Sequence, residues 1–162
     1  MTAHTVHQLK AEAITQAAFQ SFGQLIQASE DGKAFDAQDA KLQLQNGTPR
    51  FYIMRLDYRG RNFHRITRHQ QCTQCLGSLE GKDWLIAVAP PGIQSTPSIK
   101  DLRAFQIPGS CFIKLNVGTW HAGPYFDHEV VDFYNLELSD TNVVDHDTCD
   151  LRLSYGMEFE IV

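Results

Sequence analysis

Apolar residues along this chain fall in short runs, most of them strand-length and bounded by turn formers. Phe51-Tyr52-Ile53-Met54-Arg55-Leu56 is apolar and aromatic, and Asn62 to Ile66 alternates. Trp84 to Val88 is continuously apolar between Gly81-Lys82-Asp83 and Pro90-Pro91-Gly92. Further strands are predicted over Ala104–Ile107, Cys111–Leu115, Val130–Leu138 and Gly156–Val162. Turn signals separate them at Asn46-Gly47, Arg59-Gly60, Pro108-Gly109 and Gly123-Pro124. One segment has helical spacing: Ile14, Ala18 and Phe22 predict a helix from Thr15 to Phe22, with Thr15 as N-cap and Gly23 as its stop. Leu25-Ile26 then begins a strand, and residues 28–41 read as a surface loop. The pattern predicts a mainly β, antiparallel barrel or sandwich with a short N-terminal helix, in one domain spanning residues 1–162.

Composition narrows the class of partner. A chain of 162 residues can bury a core without disulfide or metal staples. With Lys plus Arg at 14 and Asp plus Glu at 19, the net charge of −5 argues against nucleic acid or an anionic membrane as a partner. The start, MTAHTVHQLKAEAITQ, has no apolar signal region, and no stretch reaches the length of a membrane span, so the expected location is the cytoplasm. Cysteines stand at 72, 75, 111 and 149. With a single C-x-x-C pair and no second one to complete a zinc site, they read as reduced, structural residues.

Two segments carry candidate chemistry: Thr67-Arg68-His69 with Gln74 and Gly81 downstream, and Gly118-Thr119-Trp120-His121. Their spacing resembles the two half-motifs of a cupin barrel, in which inward side chains from neighbouring strands grip a divalent ion. That resemblance implies a cupin-like antiparallel β-barrel, or double-stranded β-helix. His69 and His121 occupy two of the ligand positions, while Thr67 and Gln74 replace a histidine and an acid. Imidazoles suit Ni, Mn or Zn, and Gln74 is a weak third ligand. They also suit proton transfer near neutral pH.

The match extends further. Ala18-Phe19-x-x-Phe22-Gly23-x-x-Ile26, Arg68-His69-x4-Gln74, Gly118-Thr119-Trp120-His121 and Val131-Asp132-Phe133 resemble the ureidoglycolate lyase family, in order over roughly residues 15–160. Thr67 stands where members have Glu, and Asn116 and Ala122 where they often have His. The resemblance implies cleavage of ureidoglycolate to glyoxylate and urea in allantoin breakdown, by a homodimer. His69 and His121 are then an acid–base pair or two ligands of a loosely held ion. Trp84–Val88 or the N-terminal helix is the expected dimer interface. The substrate carboxylate needs a cation. Lys114, on the opposite strand face from Ile113 and Leu115, serves if that face is the lumen, whereas Arg68 should point away from His69. Asp132, sharing a face with Tyr134 and Leu136, is expected to orient an imidazole. Gln74, Tyr134 and Trp120 complete the expected substrate contacts. A rival reading is a non-catalytic or divergent cupin that binds a small carboxylated ligand. The remaining histidines, His146 among them, have no visible partner, and the acidic run from Asp140 to Asp147 reads as a solvated loop.

Overall fold

The structure is a computed structural model that describes residues 4–162. Its strands are β1 (Thr5–Leu9), β2 (Ala11–Ala13), β3 (Gly23–Ile26), β4 (Pro49–Asp57), β5 (Asn62–Phe63), β6 (Arg65–Arg68) and β7 (Gln74–Ser78). They continue with β8 (Gly81–Ala89), β9 (Arg103–Gly109), β10 (Phe112–Leu115), β11 (Trp120–Tyr125), β12 (Val130–Leu138), β13 (Asp147–Asp150) and β14 (Met157–Ile161). Short helices α1 (Gln16–Phe19), α2 (Thr141–Val144) and α3 (Leu151–Tyr155) punctuate them. This is the mainly β, cupin-like fold that the pattern predicted.

The strands form three sheets, ordered β3-β10-β7-β12-β4, β13-β6-β11-β8-β9-β2 and β1-β14-β5. Pairing is antiparallel except for β1 with β14 and β2 with β9. The first two sheets face each other across an apolar layer that includes Leu76, Ile86, Val88, Phe105, Ile113 and Phe133. A second layer, including Phe63, Ala87, Trp120, Tyr125 and Phe159, fills the space between the six-stranded and three-stranded sheets. The six-stranded sheet is therefore covered on both faces. In Trp84–Val88 each side chain is buried, which is why the run is continuously apolar rather than alternating. The strand lies between β11 and β9, so it cannot serve as the expected dimer interface.

The helix at the start is shorter than predicted. Thr15 caps it as expected, its Oγ1 accepting from the Ala18 N–H at 3.1 Å, but it ends at Phe19. Four residues do not hold a helix in isolation. The turn is held by Phe19, which is fully buried and packs edge-on against Phe105 with centroids 5.3 Å apart. Gly23 is not the stop. It lies in β3 opposite Leu115, and a Cβ there would sit 1.8 Å from the Lys114 carbonyl oxygen, so close approach of two strands demands glycine.

The predicted run Asn62–Ile66 is split at His64, with β5 joining β14 and β6 joining β11 and β13. Residues 28–41 are irregular, as expected. The run from Asp140 to Asp147 is mostly exposed, as expected, but more ordered than a loop: it holds α2 and the first residue of β13, with Thr141 and Asp145 buried. All four cysteines are free and buried, and burial pushes the Cys75 thiol up to about 11, out of the reactive range.

Candidate active site

Strand alternation sets the direction of each motif side chain. His121 pairs with Val88 on one side and Thr67 on the other. Val88 belongs to the layer between the two large sheets, so His121 and Thr67 face that layer, while Trp120 and Arg68 face the opposite way. His69, two residues after Thr67, returns to the inner side. Gly118 locks the two motifs together: with φ at +82° it turns the chain so that its N–H donates to the His69 carbonyl at 2.7 Å. The two rings end with centroids 5.1 Å apart. Two imidazoles distant along the chain thus share one cavity.

A third joins them. The His146 ring lies 5.7 Å from that of His69. It is held from behind by a hydroxyl relay: Thr67 Oγ1 bonds Thr148 Oγ1 at 2.8 Å, and Thr148 Oγ1 meets His146 Nδ1 at 3.3 Å. The register explains why, since Thr67 pairs with Thr148 across β6 and β13. Where a cupin places a histidine at position 67, this chain has a threonine and brings an imidazole to the rim from the neighbouring strand. Nothing in the local sequence around His146 announces it, because the residues of β13 read like those of a loop.

The ring nitrogens of the inner pair are assigned by their neighbours. His69 Nδ1 lies 2.6 Å from the Asp145 carbonyl oxygen and His121 Nδ1 lies 3.3 Å from the Thr119 carbonyl oxygen. Carbonyls only accept, so each Nδ1 carries the proton and each Nε2 keeps its lone pair. Asp145 also fixes the loop around His69, its carboxylate accepting from the Gln70 and Gln71 N–H groups, both at 2.8 Å. Burial lowers the pKa of His69, against the opposing pull of the Asp145 carbonyl. It lowers that of His121 further, to about 3, helped by the neighbouring His69. Both rings are neutral at neutral pH.

The chamber they share has a volume of about 200 Å³ and is lined also by Tyr52, Arg59, Gln74, Asn135 and Asn142. That is below the ~300–1,000 Å³ usual for drug-sized ligands and suits a small acid. An outer basin of about 370 Å³ adjoins it, and Arg59, His121, Gly123 and His146 border both. A polar network forms the floor. Glu137, 1% exposed, accepts from Tyr52 Oη at 3.1 Å, Gln74 Nε2 at 3.2 Å and Asn142 Nδ2 at 3.3 Å. Asn135 bridges Gln74 and Tyr52.

Other predicted contacts are placed elsewhere. Asp132 lies on the outer face of β12 and forms a bidentate pair with Arg55 at 2.8 and 2.9 Å. Tyr134, on that same face, stacks between Phe51 and Phe112. Lys114 faces outward with Cys75 and donates to Asn116 Oδ1 at 2.8 Å. None of the three meets the imidazoles, because the face they share is not the lumen. Trp120 is buried behind the six-stranded sheet under the Arg68 guanidinium, 4.4 Å from its ring centroid. Arg68 points away from His69 as expected, pairing with Asp147 at 2.8 Å. Of the predicted contacts, the structure gathers His69, His121 and Gln74.

A divalent ion would find the imidazoles of His69, His121 and His146 and one amide oxygen here, since the lone carboxylate of the network is already occupied by three donors. Among the described residues, no group of three or more His, Cys, Asp or Glu side chains is arranged to hold a metal. Three imidazoles suit a metal by type, but they are not disposed around a common point, so the site as arranged fits a resident ion poorly.

No described helix is long and apolar enough to cross a membrane. Comparison with curated proteins finds no match. A small chamber with paired neutral imidazoles, on a cupin-like frame, is the setting that splitting a carbinol amide requires. The model of the ureidoglycolate lyase family matches residues 6–155, so the chain belongs to that family and is a lyase that cleaves ureidoglycolate.

Proposed function

We propose that His69 is the proton carrier of this cleavage and that His121 holds the reacting group beside it. Ureidoglycolate splits when its carbinol hydroxyl loses a proton, the oxygen collapses to the aldehyde of glyoxylate, and the C–N bond breaks. The departing urea nitrogen gains a proton, so none is consumed overall. Neither imidazole is charged beforehand, so one proton relayed through one ring satisfies the balance: Nε2 of His69 takes it from the hydroxyl and returns it to the nitrogen. His69 suits this role because the Asp145 carbonyl supports its charged form, whereas His121 is held neutral and offers only a lone pair. The observation that carries the reading is the pair of rings with both Nδ1 atoms pinned to carbonyls. No step is routed through a metal.

The setting follows from the chemistry. We place the enzyme in purine breakdown through allantoin, and in the cytoplasm, where four unpaired cysteines stay reduced. A homodimer formed through the outer face of the five-stranded sheet accounts for an apolar strip that is otherwise unexplained. Phe51 and Ile53 are 66% and 55% exposed there, continuous with Tyr134 and Phe112. The Arg55–Asp132 pair on that face supplies charges of both signs, as a self-complementary contact needs.

Incubation of the purified protein with racemic ureidoglycolate should release glyoxylate from one enantiomer. The rate should be unchanged within a few-fold by a chelator or by added nickel, manganese or zinc. Absence of enantioselective release under every condition contradicts the proposal, and release only with metal contradicts the proton relay alone.

A further inference from the structure

Two groups in the chamber wall lack the partner that their chemistry requires, and they are of opposite kinds. Gln74 Oε1 is buried with no hydrogen-bond donor, although the Nε2 of the same amide is spent on Asn135 and Glu137. That assignment fixes the flip, because both partners present oxygens and the amide must turn its nitrogen to them. A buried carbonyl oxygen left bare in a cavity wall is an acceptor waiting for a ligand N–H.

Arg59 is the converse. Of the eight arginines in the sequence, Arg55, Arg61, Arg65, Arg68, Arg103 and Arg152 each have a carboxylate within ion-pair distance. Arg50 lies over the Tyr52 ring. Arg59 alone borders the chamber without an acidic partner. Its Nη2 donates to the Pro124 carbonyl at 3.2 Å and its guanidinium lies 4.9 Å from the Tyr125 ring centroid. These contacts fix the plane of the fork and leave its other N–H groups unspent. Neither the chamber nor the outer basin is lined by an Asp or Glu, in a chain whose net charge is −5. An anion entering this cavity meets no carboxylate at its walls, the Glu137 carboxylate of the floor being covered by Tyr52, Gln74 and Asn142.

We infer that Arg59 anchors the substrate carboxylate at the junction of basin and chamber, while Gln74 Oε1 accepts from the ureido N–H at the floor. The carbinol carbon is thereby placed between them, against His69 and His121. The site takes small acids that bear a carboxylate at one end and an amide or ureido N–H at the other. This rests on the lyase reading and assigns its substrate orientation. The planar guanidinium matches a carboxylate in a way that Lys114, on the far side of the sheet, does not.

Ureidoacetate, which is the substrate without its hydroxyl, cannot undergo the cleavage and so reports binding apart from turnover. Calorimetric titration with ureidoacetate and with glycolate, which has the carboxylate and no ureido group, separates the two contacts. Arg59→Gln should weaken both ligands on the order of tenfold to a hundredfold, the range for a hydrogen bond to a charged group. Arg59→Lys should recover part of that loss. Gln74→Met should weaken ureidoacetate and leave glycolate unchanged. Arg55→Gln, the same change on the outer face, should alter neither. Arg59 is exposed, so its variants should keep the wild-type melting temperature. Wild-type affinity for both ligands in Arg59→Gln overturns the inference, as does failure of the wild type to bind ureidoacetate. If the binding pattern holds and ureidoglycolate still yields no glyoxylate, the lyase reading falls and the anchor stands. If turnover is present with KM unchanged in Arg59→Gln, the anchor falls and the lyase stands.

Discussion

The two faces of β12 and its neighbours invert what hydrophobicity leads one to expect. The inner face carries Gln74, Asn135 and Glu137, polar residues no more than 7% exposed, whereas the outer face carries Phe51 and Ile53, both more than half exposed. Period-two alternation correctly groups Asp132 with Tyr134 and Leu136, and Lys114 apart from Ile113 and Leu115. It does not reveal which group is inside. A sheet whose lumen holds a site, and whose outer surface is proposed to hold a contact, has polar residues where a core is expected and aromatic residues where solvent is expected. Departures from pattern at such places mark function rather than error.

The sharpest way to break this comparison is to remove one residue from each face. His121→Ala, which removes the lone pair that holds the reacting group, should lower kcat/KM by about tenfold to a hundredfold, the range for a lost hydrogen bond. Asp132→Ala, which removes only the surface pair with Arg55, should stay within a few-fold when glyoxylate release is measured on the same preparations. Equal losses would mean that the outer face takes part in the chemistry.

The next test concerns stability. Glu137→Ala leaves the buried Gln74 amide and the half-buried Tyr52 hydroxyl short of an acceptor, while the exposed Asn142 amide can turn to water, and a buried donor left bare costs about 1–3 kcal/mol. Chemical denaturation should show a loss of about 1–3 kcal/mol. Arg55→Ala, which removes an exposed ion pair on the outer face, should lose much less.

Protonation sharpens the same contrast. Above about pH 6.5 the imidazoles are neutral in both the folded and unfolded chain. Below that, unfolded His121 takes a proton that folded His121 refuses until about pH 3, so the unfolded state binds more protons and folding stability is lost as pH falls across this window. Replacing His121 by Asn should flatten that part of the stability profile. Because His69 must be neutral to accept the hydroxyl proton and its pKa is lowered by burial, the acid limb of kcat/KM should lie below the ordinary histidine value. A limb above it would show that the rings are not buried as described.

The smallest effect on turnover belongs to the outer strip. Phe51→Asp places charge in the aromatic ladder, and light scattering should report dissociation to monomers while turnover per chain stays within a few-fold. Persistence of a dimer would move the interface elsewhere.

How far the sequence could be read depended on whether a segment announced itself locally. Phe51–Leu56, Trp84–Val88 and Val130–Leu138 stood out because runs of branched and aromatic residues are what a pleated, buried surface selects. β7, whose sequence is QCLGS, and β11, whose sequence is WHAGPY, carry glycine and proline and did not. His69 and His121 were legible through motif spacing. His146 and Arg59 were not: one follows a run of turn formers and reaches the cavity through the β6–β13 register, the other sits in an Arg-Gly turn signal just past the end of β4. Asp132, Tyr134 and Lys114 were assigned to the wrong face for the reason given above, and Trp120 was placed in the site although it lies one residue, and therefore one sheet face, away from His121.

The central claim is that an imidazole enclosed between the two large sheets moves the proton. It is tested most directly by kcat/KM of His69→Ala for ureidoglycolate, with folding confirmed by an unchanged far-ultraviolet spectrum. The account predicts a fall of at least about 10²-fold. Turnover within a few-fold of the parent, from a protein equally well folded, would contradict it.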